Sequence, residues 1–198
     1  MRVLAEEGAR LVITVDCGAA ATTALEEARS LGLDVIVLDH HRVDASPPAI
    51  AHVNPNQPDD TSGLGHLCAA GVSFLFLVGL NRHLRETNFY AERSMAEPDL
   101  RMFLDLVGLA TICDVVPLKD VNRAFVRFGL SQIGALLRVK GEQKFKARAY
   151  AGAARALIAL DTDDLAPLLR SGELADTPGI GPATLSVVRD LVETGESR

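Results

Sequence analysis

The sequence predicts an α/β fold followed by an all-helical remainder. Two short apolar runs, Leu11–Val15 and Val35–Leu38, each end in an acid, Asp16 and Asp39, and a helix-length segment separates them. Runs of four or five apolar residues read as buried strands of a mostly parallel sheet, because helices cover both faces of such a sheet. A third run, Ala49–Val53, extends the pattern, and beyond about residue 134 no strand-like run follows. The expected architecture is therefore a sheet of about three strands flanked by helices, then a small helical module.

Taken in order, Met1–Ala9 reads as the end of a helix, with Gly8 to stop it. Leu11–Val15 is the first strand, and Asp16-Cys17-Gly18 leaves it. Ala19–Leu31 is a helix with Thr22 and Thr23 near its start and Gly32 as its C-terminal stop. Asp34 leads into the second strand, which runs into Asp39-His40-His41. The resulting strand–helix–strand unit brings Asp16 and Asp39 to one edge of the sheet, where the chain leaves parallel strands and where ligands collect. The third strand ends in Asn54-Pro55-Asn56, and Gln57–Gly65 is an irregular loop.

Leu67–Arg85 is an apolar helix expected against the sheet, and Glu86–Pro98 a polar surface connection. Asp99–Ile112 reads as a buried helix broken by Cys113-Asp114-Val115-Val116-Pro117. Lys119–Leu137 is helical, Phe145–Leu160 is an Ala-rich helix, and Thr162 and Asp163 cap a short helix over 165–169. Thr177-Pro178-Gly179-Ile180-Gly181-Pro182 is a tight turn before a last helix over 183–192. Backbone amides of such a turn suit a phosphate; the plainer reading is a Pro-Gly helix connection.

The 198 residues are 48% hydrophobic and carry a formal charge of -6, so the bulk charge does not mark a nucleic-acid binder. The charge is uneven: between Arg123 and Arg155 stand eight Lys or Arg and one acid, Glu142. Such asymmetry suits a local polyanion surface or a solvated helical face. Three cysteines far apart, without a CxxC pair, argue against a zinc ribbon or disulfide scaffold and fit a reducing cytosol. No signal peptide is visible, and the longest apolar run, Cys68–Leu80, falls short of the roughly 20 residues that span a bilayer. The expectation is a cytoplasmic protein with no membrane partner.

Asp16, Asp39, His40, His41 and Asp114 form one candidate constellation. Carboxylates and imidazoles are ligands for Mn²⁺-, Zn²⁺- and Mg²⁺-class ions. Carboxylates that bridge two ions, with a histidine beside them, are the parts of a two-metal phosphoesterase site.

Asp39-His40-His41 after a strand, preceded by Val15-Asp16-Cys17-Gly18 and followed by Ile112-Cys113-Asp114-Val115-Val116-Pro117-Leu118, resembles the DHH phosphoesterases, and among them the RecJ-like single-strand-specific 5′→3′ DNA exonucleases. Val53–Asn56 and Ala69–Phe74 resemble them too, and the likeness covers about Met1–Leu130. The resemblance implies a phosphodiesterase acting on single-stranded DNA with two Mn²⁺ ions, Mg²⁺ being an alternative. It implies Asp16 as a bridging metal ligand, His40 and Asp114 as further ligands, His41 close to the scissile phosphate, and Asp39 orienting the histidines.

The family also has an earlier Asp-x-Asp motif that nothing before Asp16 matches; only Glu6 and Glu7 are acidic there. The resemblance therefore implies a partial DHH domain with an incomplete ligand set and impaired hydrolysis. An exposed sheet edge, and with it a marginal, aggregation-prone chain, is expected beside the first visible strand.

Ala135–Gly195 is similar instead to the helix-hairpin-helix N-terminal domain of bacterial family X DNA polymerases, through Lys140-Gly141-Glu142, Phe145–Tyr150, Ala153–Leu157 and Leu174–Gly181. That resemblance implies DNA-phosphate contacts by the backbone of Gly179, Ile180 and Gly181, supported by Lys146 and Arg148. The basic residue usual after the second Gly is replaced here by Pro182, Ala183 and Thr184. The expected organisation is a partial DHH domain over 1–133 joined to a helical helix-hairpin-helix module over 134–198. Two other functions stay open: a non-catalytic DNA-binding module, and a DHH phosphoesterase for a small phosphate ester.

Overall fold

The structure, a computed structural model, describes residues 1–139, 152–153, 155–156, 159–160, 166–182 and 185. The chain divides into two compact units, Met1–Pro98 and Asp99–Arg198.

The first unit runs α1 (Arg2–Glu6), β1 (Leu11–Val15), α2 (Thr22–Ser30), β2 (Asp34–Leu38), β3 (Ala51–Val53), α3 (Ala69–Glu86) and α4 (Phe89–Glu92). The three strands pair in parallel in the order β1-β2-β3. Leu11 stands opposite Asp34 and Val15 opposite Leu38, so the two strands end level and release their acids side by side.

The strands are held by what alternate residues touch. Val35 and Val37 of β2, with Leu33, pack against Leu25 and Ala28 of α2; Val12, Ala49, Met1, Ala5 and Ala9 close this core. Burying a side chain such as Leu25, 2% exposed, contributes about 1.5–3 kcal/mol. α2 ends where expected: Leu33 N–H donates to Ala28 O, and Gly32 adopts φ +72, which costs glycine little. α3 packs on β1 and β2 through a buried start at Ala69, Gly71 and Val72. β1 is an outer strand of the sheet, with Leu11, Ile13 and Val15 about half exposed.

The expected plain connection over 86–98 contains α4, one helical turn too short to leave an apolar periodicity. It is tied to α3 through Asn81, which accepts from Tyr90 O–H and donates to Pro98 O.

In the second unit the expected helix over 99–112 opens instead as a 3-10 turn, Leu100–Phe103, before α5 (Leu104–Cys113). Asp99 caps that turn by accepting from Arg101 N–H. α6 (Asp120–Val139) follows, and the junction expected at residue 134 falls within it. α5 and α6 cross at Gly108 and Gly129: a Cβ on Gly129 would stand 2.5 Å from Leu104 O, and one on Gly108 2.7 Å from Phe125 O. Short helices Ala166–Ser171 and Glu173–Asp176 follow. Val126, Leu130, Ala156, Leu174 and Ile180 form the core of this unit. Among the described residues no helix is long and apolar enough to cross a membrane.

Candidate metal centre

Parallel pairing continues one residue past β1: Asp16 N–H donates to Leu38 O at 3.0 Å. The backbone then turns sharply, with Asp16 at φ 63, a left-handed conformation that Asp tolerates better than most residues. Gly18, at φ +110, has Thr14 Oγ1 2.7 Å and Val37 3.2 Å from where a Cβ would be. The Asp-Cys-Gly turn therefore has no room for a side chain at its third residue.

At the end of β2, Asp39 is 1% exposed. Its Oδ2 accepts from Ala19 N–H at 3.0 Å, tying the two strand-end turns together. Its Oδ1 accepts from the amides of His40 at 2.7 Å and His41 at 3.2 Å, and meets His41 Nδ1 at 2.7 Å. Burial raises the pKa of this carboxyl, but the Ala19 amide, the His41 ring and the His40 and His41 amides together outweigh burial and hold it below the usual value. Asp39 is thus an anion and accepts only.

That assigns the imidazoles. His41 Nδ1 faces a carboxylate and must donate. His40 Nδ1 faces the carbonyl of Leu67 at 3.1 Å and must donate too. With Nδ1 donating, Nε2 is the basic nitrogen of each ring, the arrangement of a metal ligand or proton acceptor.

His40 Nε2 lies 3.2 Å from Asp16 Oδ1. A lone pair facing a carboxylate at that distance is unfavourable unless a proton or cation sits between them. Neighbouring ligands of an ion bound at about 2.1 Å stand about 3 Å apart, so the spacing fits a small divalent cation. Asp16, His40 and His41 each place a ligand atom within 4.8 Å of the others. Asp16 and His41 are open to solvent, with side chains 59% and 61% exposed, while His40 is 15% exposed.

Asp114 belongs to the second unit, as the C-cap of α5, its N–H donating to Ala110 O. Val115 beside it holds φ 52, a costly conformation for a β-branched residue. The cluster within the first unit is Asp16, His40 and His41, with Asp39 bracing it.

Of the expected phosphate turn, Gly179, Ile180 and Gly181 are described; Lys146 and Arg148 lie outside the described residues. Ile180 points its side chain into the core, 7% exposed, and its amide donates to Thr177 O. Gly179, at φ +99, meets Gly152 O 2.9 Å from a would-be Cβ, so packing alone requires glycine there. Arg123, one of the basic run, donates to Leu160 O.

The DHH family's N-terminal domain matches residues 2–111. The chain belongs to the DHH family. A helix-hairpin-helix domain matches residues 121–197. In this DHH-family chain the triplet Asp39-His40-His41 and the turn at Asp16 both lie within the match, which ends before Asp114. Among curated relatives, the single-stranded-DNA-specific exonuclease RecJ of Escherichia coli (strain K12) is 43% identical over 129 residues, covering 65% of this chain and 22% of that protein. RecJ of Dickeya dadantii (strain 3937) is 42% identical over 132 residues, covering 66% and 23%. The chain thus spans under a quarter of the length of these relatives. Of solved structures, RecJ from Thermus thermophilus in complex with Mn²⁺ aligns with a TM-score of 0.51 at 26% identity, covering 99% of this chain and 37% of that one. Exonuclease RecJ bound to manganese aligns with a TM-score of 0.51 at 26% identity, covering 89% and 53%. The fold is that of RecJ-like DHH proteins: a three-stranded parallel sheet with helices, then a helical region.

Two residues near the histidines were given no role by sequence. Asn54 Nδ2 donates to His41 O at 2.8 Å, and Asn56 Nδ2 to His40 O at 2.7 Å. The available signal was an Asn-Pro-Asn directly after a strand on the same sheet edge.

Proposed function

We propose that the chain carries part of a metal-dependent phosphodiesterase site for single-stranded DNA, with Mn²⁺ as the cation and Mg²⁺ as an alternative. The observation that supports it is the 3.2 Å approach of His40 Nε2 to Asp16 Oδ1, with both histidine Nδ1 atoms committed to acceptors. Asp16 and His40 would hold the cation. The bound ions would supply Lewis-acid stabilisation of the phosphate and a more acidic attacking water, two ions being the number the family resemblance implies.

His41 has a different task. It is the more exposed of the two rings, and Asp39 stabilises its protonated form across 2.7 Å. It can take a proton from the attacking side or donate one to a phosphate oxygen. Asp39, nearly fully buried, acts by holding that ring and the two histidine amides.

The substrate class follows from the RecJ relatives, as does the reading of this site as an exonuclease; the 5′→3′ direction is carried over from the family resemblance. Backbone groups at Gly179 and Gly181, with Lys146 and Arg148, would hold the DNA by its phosphates without reading sequence. The test is digestion of an end-labelled single-stranded oligonucleotide in Mn²⁺, with duplex DNA as the comparison. Wild type should degrade the single strand, and Asp16→Asn and His40→Ala should lose that activity. Degradation that persists in both variants, or after chelation of the metal, would refute the assignment.

A further inference from the structure

We infer that Asn54 and Asn56 are positioning residues of the metal centre, setting His40 and His41 through their backbone carbonyls. The inference rests on the metal reading above and adds two residues that act on the histidines through hydrogen bonds to their backbone carbonyls.

The geometry leaves one orientation for each amide. Asn56 Nδ2 lies 2.7 Å from His40 O and 3.0 Å from Gly65 O. Both partners accept only, so both N–H bonds of this amide are used. Asn54 Nδ2 lies 2.8 Å from His41 O, and its Oδ1 accepts from Asn56 N–H at 2.8 Å. The two amides therefore form one linked clamp, and Asn54, 2% exposed, is buried within it. Pro55 between them fixes its own φ and keeps Asn54 out of the helical region. Gly65 leaves room for the clamp: a Cβ there would lie 2.5 Å from Asn56 Oδ1.

The His40-His41 segment is thereby held from three sides. Asp39 takes both its amides, Leu67 O takes the His40 ring, and the asparagines take both carbonyls. An aspartate at 54 or 56 would keep the shape but remove the donors and set a carboxylate against a carbonyl. Residues that orient metal ligands typically change metal affinity by roughly 10–100-fold when replaced.

The experiment compares Mn²⁺ affinity, by titration calorimetry, in wild type, Asn54→Asp, Asn56→Asp and the milder Asn56→Ser. The control is Asn81→Asp, a buried asparagine of the same unit that bonds Pro98 O and Tyr90 away from the histidines. The expected result is a loss of roughly 10–100-fold in the clamp variants and wild-type affinity in the control. Equal losses in Asn81→Asp would reduce the effect to stability and overturn the inference, as would unchanged affinity in the clamp variants. A second readout needs no variant. In wild type, the side-chain amide protons of Asn54 and Asn56 should resist solvent exchange and shift on Mg²⁺ addition with the His40 ring. Exchange as fast as that of exposed Asn88, or no shift, would overturn the inference. Absence of Mn²⁺ binding by wild type would instead overturn the metal reading, and this inference with it.

Discussion

His41 Nδ1 and Asp39 Oδ1 stand 2.7 Å apart, one ring open to solvent and one carboxylate almost wholly out of it. The buried anion fixes the tautomer of the exposed base, so the chemistry at the surface depends on a charge held inside.

Asp39→Asn tests that dependence. The amide retains one acceptor oxygen and presents an NH₂ to groups that donate. At least one donor among Ala19 N–H, His40 N–H, His41 N–H and His41 Nδ1–H then loses its partner. A loss of about 1–3 kcal/mol in chemical denaturation is expected. Nitrogen-detected NMR should show the Nδ1–H tautomer of His41 giving way to a mixture; an unchanged tautomer would contradict the role of Asp39.

His52, on β3, supplies a pH dependence. Burial lowers its pKa, outweighing Asp39, Gln57 and Asp59, which raise it. The unfolded chain then holds more protons than the native state between the depressed value and about 6.5, so native stability rises with pH in that window. The contribution is complete above about 6.5 and is lost as pH falls toward the depressed value. Urea midpoints at pH 7.5 and 5.5 should fall further for wild type than for His52→Gln, and parallel declines would refute this.

The α5–α6 crossing depends on two glycines. Cβ atoms placed on Gly108 and Gly129 would meet backbone oxygens 2.7 and 2.5 Å away, which cannot swing aside as a side-chain end could. Gly108→Ala and Gly129→Ala should each cost about 1–3 kcal/mol through overpacking. Gly79→Ala, with open space where the Cβ would lie, is the control and should be neutral or stabilising. Equal thermal shifts in all three would show that the crossing is not tight.

How much of this was legible from sequence depended on range. β1 is read directly from Leu11–Val15, and β2 from the unbroken run Val35–Leu38, because four apolar residues in a short parallel strand leave a nearly continuous signal. The shared edge of Asp16 and Asp39 followed from strand–helix–strand order alone. α4 was missed because four residues carry no periodicity. The approach of Gly108 to Gly129 was invisible because it joins two helices through atoms common to every residue. The clamp of Asn54 and Asn56 stayed hidden for the same reason: its acceptors are backbone carbonyls, which no sequence letter marks. Ile180, named for the backbone of its phosphate turn, also anchors that turn with a core side chain, a packing role its neighbours in sequence did not mark.

The measurement that tests the central claim most directly is calorimetric titration of the metal-free chain with Mn²⁺, wild type beside Asp16→Asn and His40→Ala. Saturable binding in wild type, weakened at least tenfold in each variant while their thermal transitions stay cooperative, is the predicted result. No binding in wild type, or binding indifferent to both substitutions, would contradict the assignment of Asp16 and His40 as a metal centre.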